Sequence, residues 1–317
     1  MASQKKLIVL AIGGNSLIAD REHRTVPDQY AACLKTCGDI VQLLERGYRV
    51  VITHGNGPQV GFILRRSELA AHELHPVPLD SCGADTQGGI GYQIQQGLDN
   101  CMRGWPNPLP VATVITRVLV DADDPAFQHP SKPIGSFLDE ETARAHQEKD
   151  GWTVVQDAGR GFRRVVASPI PREILEFSAI KRLIDEDFVV VAVGGGGIPV
   201  VRADDGTLTG IEAVIDKDLA SSLLARKLNA HLLLISTVVE QVYLNFGKPD
   251  QKPVDRMTVA EARRYIDEGQ FAPGSMLPKI QAIVDYLEAG GGEALITNPE
   301  NLGRAIAGKT GTRIVRE

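Results

Sequence analysis

Six short apolar runs constrain the fold of this chain more than any other feature. Leu7–Ile12, Val50–Thr53, Val111–Val120, Phe188–Val193, His231–Ile235 and Ala294–Thr297 are rich in Val, Ile and Leu and do not alternate with polar residues. An alternating strand buries one face, whereas a continuous apolar run needs both faces covered, as in a parallel sheet. Between the runs the period becomes helical. Leu34, Cys37, Val41 and Leu44 mark one helix, ended by Gly47; Ala220, Leu224 and Leu228 mark another. Ile280, Ile283, Val284 and Leu287 mark a third, ended by Gly290. Thr258 and Glu261 have the spacing of a capping box on a fourth, with Gly269 past its end. The repeated β-α-β order predicts a doubly wound α/β sandwich.

The stretch from Asp121 to about Val166 breaks this rhythm. It is polar, interrupted by prolines, and swings from acidic to basic. We read it as an inserted lid subdomain. A boundary is expected near residue 210, dividing the chain into lobes 1–210 and 211–317.

Three of the runs end in glycines: Gly13-Gly14-Asn15, Gly55-Asn56-Gly57, and Gly194 through Gly197. In an open α/β sheet, ligands sit at the carboxyl ends of the strands. Glycines there let backbone N–H groups approach an anion, so the three loops point to a shared phosphate or carboxylate site. The chain holds 32 glycines in 317 residues, above the usual 7% or so, and their position gives the excess its meaning. None of the loops has the G-x-G-x-x-G spacing of a dinucleotide fold. Gly303 through Thr310 does match G-x-x-x-x-G-K-[ST] letter for letter. It follows a helix capped by Asn298 and started by Pro299, and lies close to the chain end, so we reject it as a phosphate loop.

Three lysines stand in distinctive settings. Lys217 lies between Asp216 and Asp218 ahead of a helix expected over Leu219–Leu228, where flanking carboxylates would position it and keep it charged. Lys279 falls in the first turn of a helix, where the dipole disfavours a cation unless an anion is also there. Lys132 sits in the lid beside Pro133. His54 follows a strand and is read as a structural residue. His72 and His75 lack a third ligand, and no metal site is expected.

Lys and Arg number 34 against 40 Asp and Glu, a net charge of −6 that excludes a global basic field for nucleic acid. Cys33, Cys37, Cys82 and Cys101 contain no C-x-x-C pair and are expected as reduced thiols. The apolar run at the N-terminus is too short for a membrane span, so a cytoplasmic protein without membrane attachment is expected.

Taken together, Ala11–Asn15, Thr53–Gly61, Asp124–Gly135, Gly159–Val166, Gly194–Pro199, Ile215–Asp218, Tyr243–Gln251 and Gln270–Lys279 make the sequence resemble the carbamate kinases of the amino acid kinase family. The resemblance runs nearly end to end. It implies a three-layer αβα sandwich with a mostly parallel sheet of about eight strands and a protruding lid, assembled as a homodimer. It implies reversible transfer between ATP and carbamate, giving ADP and carbamoyl phosphate, with Mg²⁺. Lobe 1–210 would hold the acceptor and lobe 211–317 the nucleotide. Gly13, Gly14, Asn15, Gly55, Asn56, Gly57, Gly195 and Gly196 would hold carbamate and the phosphoryl group. Lys132 and Lys217 would neutralise developing charge, with Asp218 orienting lysines. Thr237, Tyr243, Met276, Lys217 and Lys279 would meet the nucleotide. The chain departs from the broader amino acid kinases at Ala11, where carbamate kinases commonly have the same residue, and at Val238; it departs from the usual carbamate kinase pattern at Ala167, Gly89 and above all Asp85, a carboxylate that would repel an anionic acceptor if it faced the site. Two alternatives follow: a kinase of the same fold with another small carboxylate or carbamate as acceptor, or a non-catalytic nucleotide-binding regulator.

Overall fold

The computed structural model describes residues 5–14, 17–18, 22–23, 25–157 and 161–317. Its frame is one eight-stranded sheet. Across the sheet the strands are Arg256–Thr258, Thr312–Val315, Glu293–Thr297, Leu232–Ser236, Leu7–Ile12, Arg49–His54, Val189–Val191 and Val111–Thr113. The six from Glu293–Thr297 onward are parallel; Thr312–Val315 and Arg256–Thr258 run against them. The four strands that follow residue 210 and the four that precede it meet at the pairing of Leu232–Ser236 with Leu7–Ile12.

Helices cover both faces. In chain order they are α1 (Val26–Glu45), α2 (Gly57–Ala70), α3 (Leu79–Cys101), α4 (Glu140–Asp150), α5 (Phe177–Asp185), α6 (Lys217–Lys227), α7 (Val259–Asp267), α8 (Met276–Glu288) and α9 (Leu302–Ile306). The first strand shows why the apolar runs do not alternate. Leu7, Val9 and Ala11 join a core with α5, α6, α7 and α8, while Ile8, Leu10 and Ile12 join a second core with α1, α3 and α9. Each fully buried Val, Leu or Ile side chain here is worth about 1.5–3 kcal/mol, so a polar residue on either face would be costly. Helix ends follow their sequence signals. The Thr258–Glu261 capping box forms, and Gly47 takes the left-handed conformation (φ +82°) past α1.

Three expectations need correction. The run Val111–Val120 is two strands. Val111–Thr113 belongs to the main sheet, and Arg117–Leu119 to a four-stranded sheet with Leu208–Gly210, Ile198–Arg202 and Glu173–Ile174. The chain turns at Thr116, whose hydroxyl donates to the Val114 carbonyl at 2.7 Å. The α6 helix starts at Lys217 rather than Leu219, because Asp216 caps it by accepting from Asp218 N at 2.8 Å. The Asn298 side chain makes no cap bond to the backbone. The first turn there, Pro299–Asn301, is 3-10, and Asn298 instead accepts from the Asn301 amide. The Gly308-Lys309-Thr310 stretch lies after α9 and runs into the strand Thr312–Val315, the reverse of the order a phosphate loop needs.

Within the expected lid region, Lys132–Leu138, Gly161–Val166 and Thr153–Asp157 form a separate antiparallel sheet carrying α4. Residues ahead of it are tied to the body, since Asp124 accepts from Ile170 N at 2.9 Å.

Candidate active site

The glycine loops converge because their strands are neighbours. Leu7–Ile12, Arg49–His54 and Val189–Val191 pair in parallel, so all three loops leave the sheet at the same edge. A Cβ added at Gly55 would lie 3.3 Å from Gly14 N and 3.5 Å from Lys217 Cδ. Gly14, Gly55 and Lys217 thus meet at one point. Asn15 lies outside the described residues.

The third loop is glycine-rich chiefly for space. Val193, Gly195, Gly196 and Gly197 all have positive φ (54°, 66°, 94° and 92°). A Cβ at Gly195 would come within 2.2 Å of Asn56 Nδ2, and one at Gly196 within 2.3 Å of the Ile215 carbonyl oxygen. Gly195 faces the cavity described below, whereas Gly196 is buried against Ile215.

Below this loop lies His54, 1% exposed, with Nδ1 3.1 Å from the Gly55 carbonyl oxygen. A Cβ at Gly194 would sit 2.3 Å from its Nε2. Burial lowers the imidazole pKa to about 4; the Gly55 carbonyl pulls the other way and Lys217 adds to the lowering. The folded pKa is below the reference value of 6.5, so the unfolded chain takes up the proton first as pH falls. Stability from a neutral His54 is complete above 6.5 and is lost as pH drops towards 4. His54→Gln is therefore expected to lose less of its urea midpoint than the parent chain between about pH 7 and about pH 4.5. Equal losses would show that His54 carries no such linkage.

The charged groups meet at the start of α6. Lys217 Nζ donates to Asp218 Oδ1 at 2.6 Å, and Lys279 Nζ to Asp218 Oδ2 at 3.0 Å. Burial pushes the Asp218 carboxyl up, but the two ammonium groups and their hydrogen bonds outweigh it and hold the pKa at about 2. Asp218 is thus an ionised strut between two lysines. Lys132, the first residue of the lid sheet, donates to Asp216 Oδ2 at 2.7 Å. That bond ties the lid to the cap of α6.

Two cavities share Lys217 and Lys279. One, of about 240 Å³, is lined by Gly55, Asn56, Gly57, Gly195, Lys132, Arg163, Lys217 and Lys279, with Asp216 and Asp218. Its cations outnumber its carboxylates, so it favours anions. The second, of about 620 Å³, is lined by Gly13, Gly14, Thr237, Val238, Asn298 and Glu300, and again by Lys217, Ser275 and Lys279. Two lysines on the wall between an anion-sized and a larger cavity could serve a group passing between two ligands. The sequence profile of the amino acid kinase family matches residues 6–298.

The chain belongs to the amino acid kinase family. Among its relatives, the carbamate kinase-like protein YahI of Escherichia coli is 50% identical over 98% of this chain and 99% of its own. The carbamate kinase of Thermococcus kodakarensis is 46% identical, covering 98% and 100%. Among solved structures, the carbamate kinase of Giardia lamblia bound to AMP-PNP superposes with a TM-score of 0.93 at 39% identity, covering 99% of each chain. The eight-stranded sheet and its helical layers are thus those of an amino acid kinase.

Not every residue named from the family resemblance is gathered in the cavities. Tyr243 lies on the hairpin strand Val242–Leu244, its ring 6.1 Å from that of Phe246, and Met276 packs against the core under α8. Neither lines the two cavities. Asp85 is exposed on α3 and also lines neither. Arg163 and Ser275 also line the cavities, though the motifs that contain them give neither a role. Arg163 lies in the Gly159–Val166 motif, and an arginine in a lid strand carries no signal of its own until the strand's facing is known. It donates to the Gly135 carbonyl at 3.2 Å and lies over the Phe137 ring.

Proposed function

We propose that the chain is a carbamate kinase, transferring a phosphoryl group reversibly between ATP and carbamate to give ADP and carbamoyl phosphate. The observation that carries this reading is Asp218, buried and ionised between Lys217 and Lys279 on the wall shared by the two cavities. Carbamate is already an oxyanion, so attack on the γ-phosphorus requires no general base, and the leaving group is ADP. Phosphoryl transfer then depends on positioning and on positive charge around the transferred oxygens. Lys132 and Lys217 supply charge, the Gly13–Gly14 and Gly55 loops supply N–H groups, and Asp218 holds two lysines in place. Thr237 and Lys279 line the larger cavity, assigned here to the nucleotide, and Asn56, Gly57 and Gly195 the smaller, assigned to the acceptor. Gly196 acts by packing, and Tyr243 and Met276 stay in the proposal as the adenine side of the site. The lobes 1–210 and 211–317 are the acceptor and nucleotide halves, assembled as a homodimer.

Among the described residues no group of three or more His, Cys, Asp or Glu side chains could hold a metal ion. Asp216 and Asp218 are engaged by lysines. Mg²⁺ is therefore assigned to the nucleotide substrate, as MgATP or MgADP, since it keeps its waters and takes phosphate oxygens. Small molecules are the partners in this reading, with no nucleic acid and no membrane. No helix among the described residues is long and apolar enough to cross a membrane, and the four cysteines are free, which supports a reducing, cytoplasmic setting.

The deciding experiment is a coupled assay for ATP formed from ADP and carbamoyl phosphate; absence of turnover would sink the reading. A second reading, another small carboxylate or carbamate as acceptor, is favoured by one observation: the 50% identical relative is named kinase-like. A panel of acceptors with ATP separates the two. Asp85 gives it no support, being exposed and outside both cavities. The clustered lysines argue against a non-catalytic regulator. Lys132→Ala is expected to lower turnover about 10²-fold while the KM for ADP stays within about twofold. Equal loss of nucleotide affinity would place Lys132 in the nucleotide site.

A further inference from the structure

Two adjacent residues of α3 reach the two loops that frame the smaller cavity. Asn56 donates an Nδ2–H to Thr86 Oγ1 at 2.8 Å, and the Thr86 hydroxyl donates in turn to the Gly83 carbonyl at 2.8 Å. The hydroxyl proton is committed to its own helix, so its oxygen meets Asn56 only as an acceptor. That requirement fixes which end of the Asn56 amide faces α3.

Gln87, the next residue, clamps the other loop. Its Nε2 donates to the carbonyls of Gly194 (2.9 Å) and Thr116 (3.0 Å), and its Oε1 accepts from Thr116 N at 2.7 Å. Thr116 Oγ1 in turn accepts from Val193 N at 3.0 Å. Val193 is β-branched with φ +54°, a conformation that persists only when its surroundings hold it. Thr86 and Gln87 are 3% and 2% exposed, so water does not substitute for either set of bonds. The two loops also touch each other, as the 2.2 Å separation between a Cβ at Gly195 and Asn56 Nδ2 shows.

We propose that Thr86 and Gln87 are positioning residues for the acceptor, holding Asn56 and the Gly194–Gly197 loop in one register across the cavity. This rests on the reading that the smaller cavity takes the acceptor. Neither residue lines that cavity, so both act through others. Consecutive residues serve because a helix turns about 100° per residue, which aims the pair at loops from two different strands.

The test uses Thr86→Val, which keeps the shape and removes the acceptor, with Thr86→Ala as a smaller variant that cannot clash and Thr86→Ser as the rescue. Inorganic phosphate is the probe, read as its effect on the melting temperature and needing no turnover. Thr86→Val is expected to lose most of the phosphate-induced rise at a concentration that saturates the parent chain, while keeping the rise given by ADP. In the coupled assay its KM for carbamoyl phosphate is expected to rise about tenfold with the KM for ADP within about twofold, since a displacement near 1 Å can cost up to about 10²-fold. Thr86→Ser is expected to restore both. A parent-like phosphate response in Thr86→Val and Thr86→Ala would overturn the inference, as would equal loss of the phosphate and ADP responses, or a parent chain that does not respond to phosphate. Absence of turnover in a parent chain that does respond to phosphate would overturn the carbamate kinase reading alone.

Discussion

Lys217→Ala is expected to lower kcat for ATP formation by about 10³-fold, the upper range for loss of one group stabilising charge in a transition state. Lys217 is 14% exposed and stands between both cavities, so bulk water does not screen its charge as it would on an open surface. The measurement is steady-state kinetics in both directions, with melting curves to show that the variant is folded. Folding needs checking because Asp218 keeps, among the described residues, only Lys279 as a cationic partner in the variant. An unchanged rate of ADP phosphorylation by carbamoyl phosphate would show that the transition-state role is wrong.

Gly196→Ala is expected to destabilise the fold by about 3–5 kcal/mol, from steric overpacking and an unfavourable φ together. The added Cβ would lie 2.3 Å from the Ile215 carbonyl oxygen, backbone that cannot rotate away, and φ is +94°. The clash falls on the segment leading into Asp216, Lys217 and Asp218, so activity should fall with stability. Gly206→Ala is the control. Its φ of +86° is similar but nothing lies within 4 Å of its Cβ, so it should cost only about 1 kcal/mol. Urea unfolding of both variants checks this; equal destabilisation would show that the contact with Ile215 does not matter.

Much of the framework was readable along the chain because it depends on local periodicity. Five of the six apolar runs became strands of the main sheet, and the helices end where Gly47, Gly269 and Gly290 allow. The sixth, Val111–Val120, reads as one strand because burial by either sheet produces the same apolar letters. At the break, Thr116 N also donates to Oε1 of Gln87, a residue 29 away in sequence. From sequence alone helix α6 starts two residues late, because an Asp before Lys-Asp fits a loop or a cap equally well, and only its side chain on Asp218 N makes it the cap.

The candidate site divides in the same way. Residue types and spacing named Lys132, Lys217, Lys279 and the glycine loops, since each has a local oddity: a cation at a helix start, a lysine by proline, glycines at strand ends. Their meeting was not visible. Lys132 and Asp216 are 84 residues apart, and Lys279 and Asp218 are 61 apart. Arg163, Thr86 and Gln87 have no local oddity at all.

By itself, then, the sequence determined the α/β architecture, the strand-end loops and the lysines capable of chemistry, because periodicity, turns and caps are properties of neighbouring residues. Only the tertiary structure decided that Gly195 faces a cavity while Gly196 is buried against Ile215, that Asp85 stands outside the cavities, and that one buried carboxylate joins two lysines. Those outcomes depend on long-range contacts, which are set by the packing of the sheet and its two helical layers.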